Sequence, residues 1–370
     1  MSFSENLYRT GRRVAKEAYL RVLFLTGLLW WARWRVAKLG VVAITLHRVL
    51  PDEQYDSAQL QPGMAVRAST FESFLDYVAR HCECVPPGDG VLGNPLARER
   101  RPRLALTFDD GWKDNFEAAF PISRKYKIPF TVFICPQMMT RRESFWTSQA
   151  GSLWAAAQRS GKLDVISALA GRQAGRSANS LIEGLKHVSS KDREALISRM
   201  QAALQPYIQE AGVESSEQML TWREVKEMSA AGVAFGSHTN THAILTDIPG
   251  SEALQELTES KKAIEAELRA CSLFAYPNGD WSPQVRDLVA QAGYQAAFIN
   301  APGIWREQSH RLSIPRINLW EGSLTGPGGR FSRAMLEYAV FWKAYRHRNG
   351  SFEKQTHHGD TEARRRANQE

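Results

Sequence analysis

Cysteine is scarce. There are four in 370 residues, Cys82, Cys84, Cys135 and Cys271. Only Cys82 and Cys84 stand close, and C-x-C spacing belongs to neither a redox motif nor a zinc finger. No disulfide framework is implied, and sparse thiols fit a reducing compartment. Long apolar runs are also missing near the N-terminus. The stretch Val22 to Ala32 (VLFLTGLLWWA) has eleven residues, whereas a bilayer takes about 20. No A-x-A-like cleavage site follows it, which argues against a signal peptide. The chain has no RNP-type aromatic motif and no zinc finger, so no nucleic-acid partner is expected.

Hydrophobic residues make up 43% of the chain, enough for a sizeable core. The formal net charge of +8 points to anionic partners, but much of the excess lies in the two tails. Arg9, Arg12, Arg13, Lys16 and Arg21 precede or open the apolar stretch, and Arg33, Arg35 and Lys38 follow it. Residues 1–39 therefore read as a basic amphipathic segment lying on a membrane surface. Leu23, Leu25, Leu28, Trp30, Trp31 and Trp34 would sit at the acyl boundary. The competing reading is a helix packed on the domain. The membrane reading makes the protein cytoplasmic and peripheral on the inner face of the membrane. Residues 331–370 read as a C-terminal helix and a disordered charged tail containing Arg364, Arg365 and Arg366.

Between these tails, short apolar runs alternate with helical patterns. Strands are expected over 41–46, 104–108, 130–135, 233–237, 273–276, 296–299 and 314–319. Ser69 and Ser251 read as helix caps, Thr221 with Glu224 as a capping box, and Ser282-Pro283 as an N-cap with proline at the first helical position. Residues 140 to about 219 are helix-patterned and read as an insertion on the βα scaffold, not a separate domain. The strands are apolar throughout, which argues for a parallel sheet covered on both faces. Six or seven βα units over 40–330 predict an α/β fold, a distorted (β/α) barrel with a helical insertion.

Chemically capable residues recur where these strands stop. His47 follows the first, Asp109 and Asp110 the second, His238 the fourth, Asn278 the fifth. That rim is where βα barrels build their sites. In the stretch TFDDGWKDN, two like charges stand side by side at a strand end, which suggests two different jobs. In His238-Thr239-Asn240-Thr241-His242 the imidazoles lie about 13 Å apart on a strand but meet across a turn. Two histidines with one carboxylate form a common divalent-metal set. One aspartate would then bind the ion, while the other stays off it and takes a proton from the attacking water. Asp110-Gly111 is also a turn signal, and the turn would present the acids.

T-F-D-D-G (107–111), H-T-N-T-H (238–242) and F-A-Y-P-N-G (274–279) together resemble the polysaccharide deacetylase, or NodB-homology, family over about residues 40–320, less the insertion. The resemblance implies a metal-dependent hydrolase that removes acetyl groups from N-acetylated sugars in a polysaccharide or a lipid-linked carrier. Carried over by position, Asp109 is the base, and Asp110, His238 and His242 hold a divalent metal, expected to be Zn2+. The third motif departs from the usual R-x-P-[FY], because Ala275-Tyr276-Pro277-Asn278 lacks the arginine. This form is similar to the exopolysaccharide-deacetylase branch. The Asn278 backbone N–H is the candidate to hold the oxyanion, and Arg316 the candidate to supply the missing charge near Asp109. No late L-x-H motif is evident. His310 precedes its strand, on the wrong rim, so His47 in Thr-Leu-His-Arg-Val is the expected general acid. Trp146, Trp154 and Trp281 are candidates to stack on sugar rings. The alternative function is a non-catalytic glycan-binding protein or a membrane-associated assembly factor in exopolysaccharide synthesis.

Overall fold

Strands that are apolar on both faces must be covered on both faces, and closing the sheet on itself with helices outside meets that demand. The computed structural model describes residues 15, 18–57, 61, 63–88, 101–141, 145–186, 188, 190–210, 218–326 and 328–348. The charged tail expected beyond Arg348, all the basic residues before Tyr19, and residues 89–100 lie outside the described residues.

The strands in chain order are β1 (Val41–Leu46), β2 (Arg48–Leu50), β3 (Ala65–Arg67), β4 (Glu83–Cys84), β5 (Arg103–Phe108), β6 (Phe130–Ile134), β7 (Ala234–Ser237), β8 (Leu273–Ala275), β9 (Ala296–Asn300) and β10 (Ile314–Asn318). Seven of them, β1-β5-β6-β7-β8-β9-β10, form a closed parallel barrel in which β10 returns to β1. The expected (β/α) barrel is thus present with seven strands. One edge of β5 is shared: β4 pairs with its first residues and β6 with its last. β2 and β3 make a separate two-stranded sheet. No strand was expected at β2, β3 or β4, because two or three residues carry no readable period.

Alternation along the strands sends every second side chain into the barrel. Val41, Ala43, Ala105, Phe133, Ala275, Phe298 and Ile314 form its interior cluster. Arg316 belongs to the same interior. Its side chain is fully buried, and its guanidinium lies 5.3 Å from the Phe133 ring centre and 5.7 Å from that of Phe298. Small residues make room for this layer. A Cβ on Gly236 would come within 2.6 Å of the Phe133 ring.

Helices between β6 and β7 make up the insertion, including Trp146–Arg159, Leu163–Ala170, Ala178–Leu185 and Ser190–Glu210. They enclose a cluster of their own, with Leu153, Ile166, Leu181, Met200 and Leu204 at its centre. The Thr221–Glu224 capping box and the Ser282 cap form as expected. Two helix starts differ from expectation. The helix Ala68–His81 has no side-chain cap from its own N-cap residue; instead Asp52 accepts from the Ser69 N–H at 3.2 Å. The helix Gly250–Leu268 begins one residue before Ser251, after Pro249. At the N-terminus, the helix Leu28–Val36 buries Leu29, Ala32 and Val36. It therefore packs on the domain, as the competing reading had it, while Trp30 and Trp34 stay exposed.

Candidate active site

The Asp pair at the end of β5 is split by its backbone. Asp109 continues the ladder, its N–H donating to the Leu46 carbonyl at 3.0 Å. Asp110 and Gly111 then both turn left-handed, with φ of 76° and 80°. For a non-glycine residue that conformation is uncommon and marks local constraint. The two carboxylates consequently face different partners.

Asp109 faces into the barrel. Arg316 Nη1 and Nη2 donate to its two oxygens at 2.7 and 2.8 Å. Nη1 also donates to Thr107 Oγ1 at 3.1 Å. Burial is the largest single influence on the Asp109 carboxyl and would raise it, but the Arg316 charge, His238, His47 and the Arg316 hydrogen bonds together outweigh it and hold the group at about 2. Asp109 is an anion at any working pH.

Asp110 faces two imidazoles. Its Oδ2 accepts from Trp112 Nε1 at 2.9 Å. Its Oδ1 is buried without a hydrogen-bond partner, 3.6 Å from His238 Nε2 and 3.4 Å from His242 Nε2. One ligand atom from each of the three residues lies within 4.8 Å of the others. His238 Nδ1 lies 2.8 Å from the Ala275 carbonyl. A proton held there leaves the Nε2 lone pair facing Asp110, the arrangement that prepares a histidine ligand. Burial lowers both imidazole pKa values against the pull of the aspartates, and that of His242 falls to about 4. Both rings are thus kept neutral, the form that binds metal. An orphaned carboxylate oxygen, two neutral imidazoles and their mutual spacing fit a divalent cation.

The two histidines meet through a turn. Thr239 and His242 have φ of 63° and 62°, which folds the loop back so that the rings come to 4.9 Å between centres. Glu256, on the helix Gly250–Leu268, clamps this loop. Its Oε2 accepts from the N–H groups of Asn240 and Thr241 at 2.8 and 2.9 Å, and its Oε1 from Thr241 Oγ1 at 2.8 Å.

His47 directly follows β1. Its carbonyl accepts from Asn115 Nδ2 at 2.9 Å, and its ring Nδ1 is buried without a partner. It lies close enough to bear on the charges of both Asp109 and His242. Asn278 sits in the turn after β8 with φ of 57° and is exposed. His310 lies before β10, away from this rim. Two of the tryptophans suggested for sugar stacking are buried instead. Trp281 is 1% exposed, and Trp154, at 7%, belongs to the insertion's own core. Trp146 is partly buried, with Arg193 over its ring at 4.4 Å.

Three contributors were not singled out from the sequence: Trp112, Thr107 and Glu256. The first two lie inside or beside the T-F-D-D-G motif, where only the acids drew attention. Glu256 stands on a polar helix with no local signal, and only the folded chain brings it to the loop.

The sequence matches the family described as polysaccharide deacetylase over residues 97–297. It is similar to the YxkH protein of Bacillus subtilis (strain 168), whose name places it among the polysaccharide deacetylases. That match is 19% identical and covers 77% of each chain. Among solved structures, it is similar to the Streptococcus pyogenes deacetylase PplD in complex with acetate. The TM-score is 0.51 at 17% identity, covering 77% of this chain and 95% of that one. IcaB from Ammonifex degensii gives a TM-score of 0.49 at 17% identity, over 83% of this chain and 98% of that one. The PplD likeness extends to the fold, and the family match runs from before β5 to the first residues of β9, with the Asp pair and both histidines inside it. The chain belongs to the polysaccharide deacetylase family.

Proposed function

We propose that the protein is a metal-dependent hydrolase that removes N-acetyl groups from an N-acetylated sugar carried on a polysaccharide or glycolipid. The observation that carries this reading is the division of labour between two neighbouring carboxylates. Asp110 turns an unpartnered oxygen toward two neutral imidazoles, while Asp109 stays off that cluster and is held by Arg316.

Asp110, His238 and His242 would hold the cation, and one carboxylate with two imidazoles is a donor set that suits zinc. When bound, such an ion polarises a carbonyl and makes water more acidic. The remaining work falls to the chain's own residues. Asp109 takes the proton from the attacking water. Each carboxylate oxygen offers about two lone-pair sites, so an oxygen engaged by Arg316 can still accept that proton. The Asn278 N–H, on the same rim, is assigned to the developing oxyanion. His47 protonates the departing amine, its buried and unpaired Nδ1 marking it as a group with no structural bond to keep. The products are acetate and a free amino sugar.

The test is acetate release from N-acetylglucosamine oligomers by purified protein, with and without a chelator. Release that the chelator stops and zinc restores is expected. Bound zinc with no release on any N-acetylated glycan, polymeric or lipid-linked, would favour a glycan-binding role instead. Absence of zinc binding would remove the assignment of Asp110, His238 and His242.

A further inference from the structure

The helix Leu28–Val36 and the segment before it are apolar on two sides. Leu20, Leu23, Leu29, Ala32 and Val36 are buried. On the outward side Leu25 is 82% exposed and Trp30 57%, and Val22, Phe24 and Trp34 are exposed beside them. A soluble surface rarely gathers so many large apolar groups without a partner.

The outward side cannot simply roll inward, because the buried side is pinned. Arg33 Nη1 donates to Tyr77 Oη at 3.0 Å and lies 3.5 Å from the Glu337 carboxylate. Glu337 is 1% exposed and also accepts from Tyr77 Oη and Arg333 Nε, both at 2.8 Å. Turning the helix would pull Arg33 away from this buried carboxylate and from Tyr77, so the network fixes the helix's rotation. At the margin of the patch, Trp31 meets Tyr345 edge-on at 4.9 Å, and Lys38 Nζ stands 3.7 Å over the Trp34 ring.

The sequence of this N-terminal stretch is charged with one sign. Positions 1–40 hold eight Lys or Arg (Arg9, Arg12, Arg13, Lys16, Arg21, Arg33, Arg35, Lys38) against two acids, Glu5 and Glu17. Among the described residues no helix is long and apolar enough to cross a membrane. Exposed tryptophans and leucines in one stretch with Arg21, Arg35 and Lys38 match the boundary between acyl chains and anionic headgroups.

We propose that this outward face, centred on Leu25, Trp30 and Trp34, seats the protein on an anionic phospholipid surface. The aromatic and aliphatic side chains enter the headgroup–acyl boundary while the basic side chains meet lipid phosphates. The barrel is attached through the Arg33–Glu337–Tyr77 network and rides as a rigid body on the bilayer. Nothing in this depends on the chemistry assigned to the rim.

The experiment is co-sedimentation of the full chain with vesicles of phosphatidylglycerol mixed into phosphatidylcholine, and with phosphatidylcholine alone. The comparison variant is Leu25→Gln/Trp30→Gln/Trp34→Gln, whose changes lie at exposed positions outside the active site. Binding to the anionic vesicles is expected, weaker in high salt, with partitioning lowered about tenfold or more in the variant. Brominated lipid should quench tryptophan fluorescence in the parent and less in the variant. Failure of the parent to bind, or equal binding by both proteins, would overturn the proposal. So would a parent that dimerises through this face, shown by a monomeric variant and no vesicle binding, since a second copy would then be the occupant.

Discussion

Arg316 lies 207 residues after Asp109 and donates to both of its carboxylate oxygens, at 2.7 and 2.8 Å, across the interior of the barrel. The pairing follows from strand register. Ala43 of β1 aligns with Arg316 on one side and with Ala105 on the other, and Asp109 stands two alternations beyond Ala105 on the same inward face. Two alanines leave the space that the guanidinium fills. A charged pair thus occupies a layer that aliphatic side chains would otherwise fill.

Arg316→Gln is expected to cost both folding and turnover. The Asp109 carboxylate would be left buried and uncompensated, a loss of about 3–5 kcal/mol. Urea unfolding should show a lower midpoint, and the shift multiplied by the m-value should give a loss of that size. The double variant Asp109→Asn/Arg316→Gln should regain most of the stability and none of the acetate release. If the double variant is no more stable than Arg316→Gln alone, the pair is not the source of the loss.

Glu256→Ala should weaken metal binding while leaving the barrel folded. It removes three hydrogen bonds from the loop that presents His242. Loss of such outer support lowers metal affinity by about 10–100-fold. Competition for zinc against a chromophoric chelator reads this directly. Glu256→Gln, which keeps one acceptor oxygen, should fall between the two. Unchanged zinc affinity in Glu256→Ala would show that the loop holds its shape without the clamp.

Acid should destabilise the chelated protein in two stages. His242 titrates at about 4 in the fold against 6.5 for an ordinary histidine, so the unfolded chain takes up protons first. Stability therefore falls as the pH drops from about 6.5 to about 4, and His238 adds to it in the same direction. Asp109 has the opposite chemistry and the same outcome at lower pH. Its carboxyl is held at about 2 against 3.8, so its contribution is present above pH 3.8 and is lost between there and about 2. Melting temperature against pH, in the presence of chelator, reads both stages. His242→Gln should flatten the upper stage and spare the lower one.

The parts of the site that were readable are those contained in short stretches. The Asp pair at a strand end and H-x-x-x-H across a turn each announce themselves within five residues. Arg316 was reached by a different route: the third motif lacks its arginine, and a buried aspartate needs a counter-charge from somewhere. Glu256 was beyond reach, because a glutamate on a solvated helix looks the same whether or not a loop folds onto it. The tryptophans show the limit of residue type. Trp154 and Trp281 have the chemistry to stack on a sugar, yet both are buried, and only packing decides between the two uses. For the N-terminal helix the structure shows packing on the domain through Leu29, Ala32 and Val36, and exposure alone does not say what meets its other side.

The insertion between β6 and β7 encloses apolar side chains drawn wholly from residues 150–204, with none from the barrel. A unit that satisfies its own packing places few demands on its host. Substitutions on its outer surface should therefore leave the packing of the barrel strands in place. Its two attachment points follow β6 and precede β7, the strand that carries the first histidine. Its tie to the chemistry runs through Phe145, just before the helix Trp146–Arg159, whose ring packs on those of Trp112 and His242 at 4.9 and 5.0 Å between centres.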